Sequence, residues 1–461
     1  MTKKYTTKEP GKTEDIDRKD LTGTMKEQRN ADRLSHTRRQ EALIAQIEEL
    51  LAQEQEECDF YLMSMDISEF KQINYHYGFE AGNRLLADLE QFICDIPQCV
   101  LCERAGGDRF FFLTRHEEKQ TKEAMLASFD FWWNKFRSTK QQTFPICPLK
   151  AWCGIYRVTK DSIQFAIENA DLARQKVRQL RGAAAMYCEE SLVAEVSAQK
   201  EQEYRILEAL EANRFTFWLQ PQVDIRSGKI LSAEALARGT YDTGEMIAPA
   251  VFIPILEKNG AITRLDLLIL RQVCQNLRER LDQGEPVVPI SVNLSRIDLR
   301  NEDLVAEIDH IVSAHGISHE YLVFELTESV VMDSFLAAQN VLDQLSRLGY
   351  KISIDDFGSG YAGIDVCRKM CFDELKMDKS LVDELGGKNN KAQIILEGIC
   401  SIMENLGVRV VCEGVETAEQ CHHILEIGCH IVQGFYFSKP LPYADFYQKY
   451  DSDGGYYPID F

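Results

Sequence analysis

The sequence predicts an α/β chain of two folded parts, an N-terminal α+β domain followed by a (β/α)8 barrel of the TIM type. Three observations carry this. Strand-prone and helix-prone stretches alternate along most of the chain. Eight strand-prone runs fall in the last ~250 residues with helical stretches between most of them, the spacing of a strand–helix barrel. Those runs also share one side-chain parity, apolar on one face and polar on the other. A doubly wound open sheet is the alternative, but no glycine-rich first turn supports it.

A length of 461 residues allows two or three domains, and 45% hydrophobic content lets each bury a core. No apolar run reaches the ~18–20 residues needed to cross a bilayer, and the N-terminal segment is polar. No membrane span and a cytoplasmic setting are therefore expected. The 14 cysteines are scattered, mostly within apolar runs, which reads as reduced thiols rather than a disulfide framework. Cys99-Val100-Leu101-Cys102, and Cys421-His422-His423 with Cys429-His430, have ligand-like spacing, but no second chelating pair joins either, so both read as structural. The net charge of −21 argues against a polymeric nucleic acid partner, which needs a basic footprint. A small anionic ligand stays open, given local cations to overcome that field.

In chain order, residues 1–19 read as a polar tail. Ala42, Leu43, Ile44, Ile47, Leu50 and Leu51 recur at helical period within a helix expected over Glu27–Glu57. Then follow a strand at Phe60–Asp66, a helix at Gly82–Ile93, and two strands from Val100 to Leu113 around Gly106-Gly107. A helix over 122–137, a strand at Ala151–Val158 and a helix at Ser162–Leu180 complete a domain over 20–190. A charged helical connector occupies 191–212, and the barrel occupies 213–461. Its strands are expected at Phe215–Val223, Ile230–Ala237, Val288–Leu294, Leu322–Thr327, Lys351–Asp355, Glu374–Met377, Arg409–Glu413 and Ile431–Phe437. Helices are expected between them at Pro249–Lys258, Leu265–Leu281, Ala337–Leu348 and Ala392–Leu406.

Parity then singles out chemistry. Ser232 and Glu234 oppose Leu231, Ala233 and Ala235; Ser291 and Asn293 oppose Ile290, Val292 and Leu294. Val323 and Glu325 oppose Leu322, Phe324 and Leu326; Ser353 and Asp355 oppose Ile352 and Ile354. Glu374, Lys376 and Asp378 oppose Leu375 and Met377, and Val411 and Glu413 oppose Val410 and Cys412. A sheet with one solvated face is the plainer explanation, but helices between parallel strands cover both faces. In a barrel the apolar parity meets the helices, and the polar parity points inward at the C-terminal mouth, where barrel enzymes keep their chemistry. Two like charges ~4 Å apart cost about 4 kcal/mol at an effective dielectric of about 20, so converging acids call for divalent cations. An all-oxygen ligand set selects Mg²⁺, Mn²⁺ or Ca²⁺ over zinc. Asp355-Asp356 ahead of Phe357-Gly358-Ser359-Gly360 also suits a turn, and the inward parity of Asp355 is what favours a metal site.

Asp20-Leu21-Thr22-Gly23, Asp66-Ile67-Ser68-Glu69-Phe70-Lys71-Gln72-Ile73-Asn74 and Arg104-Ala105-Gly106-Gly107-Asp108-Arg109-Phe110 together resemble the GGDEF domain of diguanylate cyclases over residues 20–190, including the Ala170-Asp171 helix. In that family the Gly-Gly turn approaches the GTP phosphates and acids on two strands hold Mg²⁺. Here Arg109 stands in place of the second signature acid, Asn83 in place of a guanine-contacting Asp, and Phe79 in place of a His. Pro97 and Val100 replace the Arg and Asp of the family's inhibitory product site. Two-metal phosphoryl transfer needs its full carboxylate set, so no cyclase activity is expected. The domain reads as degenerate and structural or dimerising, with residual GTP binding as a regulatory input the alternative.

Glu234-Ala235-Leu236-Ala237-Arg238 resembles the signature of EAL-domain cyclic diguanylate phosphodiesterases. Further matches are Phe252-Ile253-Pro254, Val292-Asn293-Leu294-Ser295, Glu325-Leu326-Thr327-Glu328, Asp355-Asp356-Phe357-Gly358-Ser359-Gly360-Tyr361, Leu375-Lys376-Met377-Asp378, Glu413-Gly414-Val415-Glu416-Thr417 and Gln433-Gly434. Ser359 stands where a Thr is usual, and Ala362-Gly363 where a small Ser pair is usual.

The resemblance implies metal-dependent hydrolysis of cyclic di-GMP to linear pGpG with two Mg²⁺ or Mn²⁺ ions. It assigns Glu234, Asn293, Glu325 and Asp355 to one metal, and Asp355, Asp356 and Glu413 to the second. Lys376 would orient or deprotonate the attacking water, acting with Glu413 and Glu234 as the catalytic group. Gln433 would hold a ligated water or the phosphate, Gln220, Leu236 and Arg238 would contact substrate, and Glu416 would anchor the loop after Asp356. A non-catalytic cyclic di-GMP sensor working through protein contacts, and a pure scaffold, are the alternatives. A homodimer through either domain, and protein partners, complete the expectation.

Overall fold

The computed structural model describes residues 40–54, 58–159, 162–180, 182, 184–358, 363–386 and 391–459. The expected N-terminal tail, the Asp20-Leu21-Thr22-Gly23 motif and the loop departures at Ser359 and Ala362 lie outside them. The chain divides into two compact units between Gln199 and Lys200, a point inside one helix. Among the described residues no helix is long and apolar enough to cross a membrane.

The first unit begins with helix α1 over residues 40–53. It continues with β1 (Asp59–Ile67), α2 (Phe70–Tyr77), α3 (Phe79–Cys94), β2 (Cys99–Gly106), β3 (Arg109–His116) and α4 (Lys122–Lys140). β4 (Ala151–Arg157), α5 (Ile163–Gln179), β5 (Ala185–Tyr187) and the helix α6 (Glu190–Glu211) follow. The sheet order is β2-β3-β1-β4-β5, antiparallel except for the β4–β5 pair. Alternation along β1 supplies both faces of the sheet. Tyr61, Met63 and Met65 pack with Phe129, Trp133 and Phe136, whereas Phe60 and Leu62 pack with Leu43, Ile47, Ile163 and Ile167. The strand and helix expectations from Phe60 onward hold, with ends shifted by a few residues, and the helix expected over Glu27–Glu57 is seen over residues 40–53, its first part lying outside the described residues.

The second unit contains β6 (Phe215–Asp224), β7 (Ile230–Thr240), β8 (Met246–Ile247), α7 (Pro249–Asn259), α8 (Ile262–Asp282), β9 (Ile290–Asn293) and α9 (Leu304–Ala314). Next come β10 (Leu322–Thr327), α10 (Glu328–Asp333), α11 (Phe335–Leu348), β11 (Lys351–Phe357), α12 (Gly363–Lys369), β12 (Glu374–Met377) and α13 (Lys379–Asp383). α14 (Lys391–Leu406), β13 (Arg409–Glu413), α15 (Ala418–Glu426), β14 (Ile431–Gln433), β15 (Leu441–Pro442) and α16 (Tyr443–Ser452) end it. Pairing runs β6-β7-β9-β10-β11-β12-β13-β14 and back to β6, which closes the barrel.

One expectation is corrected. The barrel is not uniformly parallel, because β6 runs antiparallel to both β7 and β14. The cause is local. Asp224 accepts backbone hydrogen bonds from Ser227 and Gly228, and Gly228 sits at φ 76°. A link this short makes a hairpin and cannot return the chain for a parallel pairing. The expected last strand is also shorter, ending at Gln433. Gly434 lies so close to Val415 that a Cβ would fall 2.0 Å from its carbonyl oxygen, and the chain turns away there.

Parity works as expected across the barrel. Ile290, Val292, Leu322, Phe324, Ile352, Ile354 and Leu375 are buried in the shell against the helices. Three strands that carry functional side chains are followed closely by capped helices, two of them within a residue of the strand end. Thr327 caps α10, Asp378 caps α13 through Ser380 N–H, and Thr417 caps α15 in a reciprocal pair with Gln420.

Candidate active site

At the mouth the inward side chains converge on one ammonium group. Lys376 Nζ is fully buried and lies 3.1 Å from Glu234, 3.0 Å from Glu325, 3.3 Å from Asp355 and 2.7 Å from Glu413. Oxygens of Glu234, Glu325 and Asp355 fall within 4.8 Å of one another, and so do oxygens of Asp355, Asp356 and Glu413. Asp355 is common to both groups, the arrangement a bridging ligand requires.

Asp356 reaches this cluster by a different route from the one expected. The strand does not end at Asp355. It runs on to Phe357, with a register shift against β12 between Ile354 and Phe357, and Asp356 takes φ 55°. A left-handed conformation at a non-glycine residue costs ~1–3 kcal/mol and persists where the surroundings impose it. This bulge turns two successive carboxylates toward one site. Asp356 N–H donates to Asp355 Oδ1 at 2.8 Å, which holds the turn.

The electrostatics have one cation facing an excess of acids. Burial alone would raise Glu234, but Lys376 and hydrogen bonds from Gln433 and Asn293 outweigh it and hold that carboxyl below its ordinary range. Burial pushes Glu325 and Asp355 up despite Lys376, with mutual repulsion adding to the shift. Asp356 rises to about 6, by burial and then Asp355; Glu413 rises to about 8, by burial against the pull of Lys376. For Lys376 itself, burial would lower the ammonium, and the four carboxylates overcome this and raise it well above its ordinary range.

Divalent cations fit the donor set. It is all oxygen, and Glu325 Oε1 is buried without a hydrogen-bond partner among the described residues, in a site already short of positive charge. Asn293 Nδ2 donates to Glu234 Oε1 at 3.0 Å, which turns the amide oxygen of Asn293 away from that carboxylate.

The expected substrate residues divide into two sets. Leu236 and Arg238 line one cleft of about 470 Å³ together with four of the expected metal ligands, Glu234, Asn293, Asp355 and Asp356. The Arg238 guanidinium lies over the Trp218 ring, 5.2 Å from its centroid, and donates to its neighbour's Ala237 carbonyl. Gln220 and Gln433 are instead buried beside Glu234. Gln433 Nε2 donates to Glu234 Oε2 at 2.6 Å and to Gln220 Oε1 at 3.3 Å, and Gln220 Nε2 donates to the Ser438 carbonyl at 3.2 Å. Gln433 thus holds the Glu234 carboxylate and Gln220 holds Gln433, and neither lines the cleft.

Glu416 lies elsewhere among the described residues. Its carboxylate pairs with Lys379 at 3.0 Å on the surface. The described contact to the segment after Asp356 is made by Glu328, which is buried and accepts from Gly358 N–H at 2.9 Å. The reason is position. Glu328 opens α10, next to β11, whereas Glu416 leaves β13 on the far side of β12. The second acid of Glu325-Leu326-Thr327-Glu328 was the available signal.

In the first unit the Gly106-Gly107 turn has positive φ at both glycines. Arg109, the cation in place of an acid, pairs with Asp171 at 2.7 Å. A second arginine completes the cluster, since Arg174 pairs with Asp66 and with Asp171, the latter at 2.8 Å. Ser64 donates to Asp171 at 3.0 Å. Burial raises Asp66 against the opposing pull of Arg174, while Arg109 and Arg174 overcome burial to keep Asp171 low. Arg174 was not anticipated. Its spacing of three from Asp171 on a helix was the readable signal. Cys99 and Cys102 are half-buried on β2, and Cys421 and Cys429 are buried against the barrel.

Comparison with known proteins follows the same division. Residues 203–440 match the family model of the EAL domain, and residues 29–183 match that of the diguanylate cyclase GGDEF domain. The bifunctional diguanylate cyclase/cyclic di-GMP phosphodiesterase MucR of Pseudomonas aeruginosa is 30% identical over 390 residues, 83% of this chain and 56% of the relative. The cyclic di-GMP phosphodiesterase NbdA of the same organism is 29% identical over 392 residues, 83% of this chain and 49% of the relative. The chain thus spans about half the length of such curated relatives. Among solved structures, the PaMucR phosphodiesterase in complex with c-di-GMP aligns with a TM-score of 0.50 and 31% identity, covering 53% of this chain and 99% of that one. The EAL enzyme Bd1971 with cAMP and cyclic-di-GMP bound aligns with a TM-score of 0.52 and 25% identity, covering 64% of this chain and 80% of that one.

Proposed function

We propose that this chain, which belongs to the EAL domain family and carries a GGDEF domain ahead of it, hydrolyses cyclic di-GMP to linear pGpG at the mouth of its barrel. The observation that carries the reading is the pair of carboxylate groups sharing Asp355 around Lys376. The named activities of MucR and NbdA point the same way.

Glu234, Asn293, Glu325 and Asp355 would hold one Mg²⁺ or Mn²⁺, and Asp355, Asp356 and Glu413 the second. Such a pair supplies hydroxide at neutral pH and compensates charge on the phosphoryl oxygens. The protein's own groups do the rest. The cleft lined by Leu236 and Arg238 takes the dinucleotide, with the guanidinium offering charge-assisted hydrogen bonds to a phosphate. Lys376, shared among four carboxylates, keeps their oxygens oriented inward and, as an ammonium, would orient an attacking water by hydrogen bonding to its oxygen. Glu328 holds the backbone just after Asp356 and so maintains the bulge.

The first domain serves in this reading as a structural or dimerising element without cyclase activity. Arg174 pairs with Asp66, an acid on a strand of the kind that holds Mg²⁺ in the cyclase family, and Arg109 joins Arg174 on Asp171, so guanidinium groups already occupy these acids. The test is turnover of cyclic di-GMP by the purified full chain with Mg²⁺ or Mn²⁺, followed as pGpG. Activity absent in wild type and unchanged by Asp355→Asn would sink the hydrolase reading, and tight binding without turnover across a metal series would establish the sensor instead.

A further inference from the structure

The floor of the barrel carries a second polar layer beneath the carboxylates, and its hydrogen bonds run in one direction. At one end is Arg409, whose guanidinium pairs with the buried Glu374 (Nε to Oε2, 2.6 Å) and donates from Nη2 to Ser232 Oγ at 3.1 Å. Ser353 Oγ donates to the other oxygen of Glu374 at 3.0 Å. Ser232 Oγ donates to Gln222 Oε1 at 2.5 Å, Gln222 Nε2 donates to Gln433 Oε1 at 3.1 Å, and Gln433 Nε2 donates to Glu234 Oε2 at 2.6 Å. A side branch leaves Gln433 Nε2 for Gln220 Oε1, and Gln220 Nε2 ends on the Ser438 carbonyl. Gln222, Ser232, Gln433 and Gln220 are all buried, so water does not replace these partners.

Each end of the chain is chemically one-way. A guanidinium can only donate, and a backbone carbonyl can only accept. Because Arg409 donates to Ser232, the serine proton is directed to Gln222. That leaves the carbonyl end of Gln222 facing Ser232 and its NH₂ facing Gln433. The Ser438 carbonyl imposes the same polarity from the other side, since it claims the NH₂ of Gln220 and leaves a carbonyl for Gln433. Both constraints agree on Gln433, which must present NH₂ to Glu234. Reversing that amide would set its carbonyl against a carboxylate inside the barrel, an unfavourable contact of two acceptors.

We propose that Arg409, Ser232 and Gln222 form a directional hydrogen-bond relay that orients Gln433 and thereby keeps the Glu234 carboxylate aimed at the cluster. They are positioning residues; none touches the cleft. The inference rests on the reading of Glu234 as a metal ligand for its consequence, though not for its existence. Partners of this kind are worth about 10–100-fold in metal affinity.

The test uses the full chain. Ser232→Ala removes one oxygen and little volume, and Ser232→Thr restores the hydroxyl. Glu374→Gln with Arg409→Met removes the charged pair together, which avoids leaving a buried carboxylate alone. Two readouts are taken: the side-chain NH₂ signal of Gln433 in metal-free protein labelled with ¹⁵N-glutamine, and Mn²⁺ affinity by calorimetry. We expect the Gln433 signal to be shifted and slow to exchange in wild type and Ser232→Thr. In Ser232→Ala and the double variant it should become averaged, with Mn²⁺ binding at least about 10-fold weaker. Unchanged Gln433 signals in both variants overturn the relay and leave the functional reading standing. A wild type that binds no Mn²⁺ overturns the functional reading, while the amide signal still decides the relay.

Discussion

Replacing Lys376 by Met in metal-free protein takes away the one ammonium that four carboxylates share and leaves an apolar chain of similar length. Each carboxylate lies 2.7–3.3 Å from Nζ. A single pair at that distance is worth about 5 kcal/mol of gross Coulomb energy at an effective dielectric of about 20. Most of that is offset by the desolvation of buried charges, and removing one partner of a buried pair typically costs ~3–5 kcal/mol net. For a unit of this size the melting transition of the barrel should fall by roughly 6–20 °C in scanning calorimetry. The loss should depend on pH. Asp356 and Glu413 have folded values raised to about 6 and about 8, so between the ordinary carboxyl range and those values the folded state binds more protons than the unfolded. Their contribution is fully present below the unfolded value and is lost as pH rises through about 6 and then about 8. The variant should therefore approach wild type near pH 5 and diverge from it toward pH 8.5, and saturating Mn²⁺ should raise its melting temperature more than that of wild type. A variant that melts with wild type at pH 8 without metal would show that the carboxylates do not need this cation, and the charge-deficit argument for metal binding would go with it.

Three further outcomes follow from the same geometry. Asp355→Ala should lose both ions and Asp356→Ala mainly one, read as Mn²⁺ per chain by elemental analysis; equal stoichiometry in the two variants would contradict a bridging Asp355. Glu328→Gln removes a charge-assisted acceptor worth ~1.5–3 kcal/mol, so kcat/KM for cyclic di-GMP should fall about 10–100-fold. Glu416→Gln, at a surface pair, should change it little, and the reverse order would restore Glu416 as the anchor. Titration of the full chain with GTP and Mg²⁺ should give no heat. Arg109→Glu alone should not create binding, because Arg174 still occupies Asp66; heat in the single variant would show that Arg109 is the only block.

Much of the barrel was legible because burial on a strand has period two. Ser232 with Glu234, Ser353 with Asp355 and Glu374 with Lys376 each follow from alternation alone, and the inward set was readable without knowing which strands are neighbours. What alternation cannot supply is the partner across the barrel. That Ser232 meets both Gln222 and Arg409 depends on the hairpin register of β6 with β7 and on closure of the ring. The bulge at Asp356 was hidden for a related reason. Nothing in Asp355-Asp356 distinguishes a strand that stops from one that inserts a left-handed residue and continues. The direction of β6 was available, since the few residues between Asp224 and Ile230 are too short for a crossover. Helical spacing likewise allowed Arg174 to be paired with Asp171, whereas its reach to Asp66 requires the packing of α5 on β1.

The reversed first strand also decides where the barrel is tethered. In an all-parallel barrel the incoming chain joins at the end remote from the chemistry. Here Phe215, the first residue of β6, pairs with Gly239 at the end of β7, one residue past Arg238. Ile206 and Leu210 of the preceding helix are packed into the same shell as Phe215 and Phe252. The helix therefore grips the rim that bears the cleft. Substitutions at Ile206 or Leu210 therefore disturb packing at the Arg238 end of the barrel rather than at its floor.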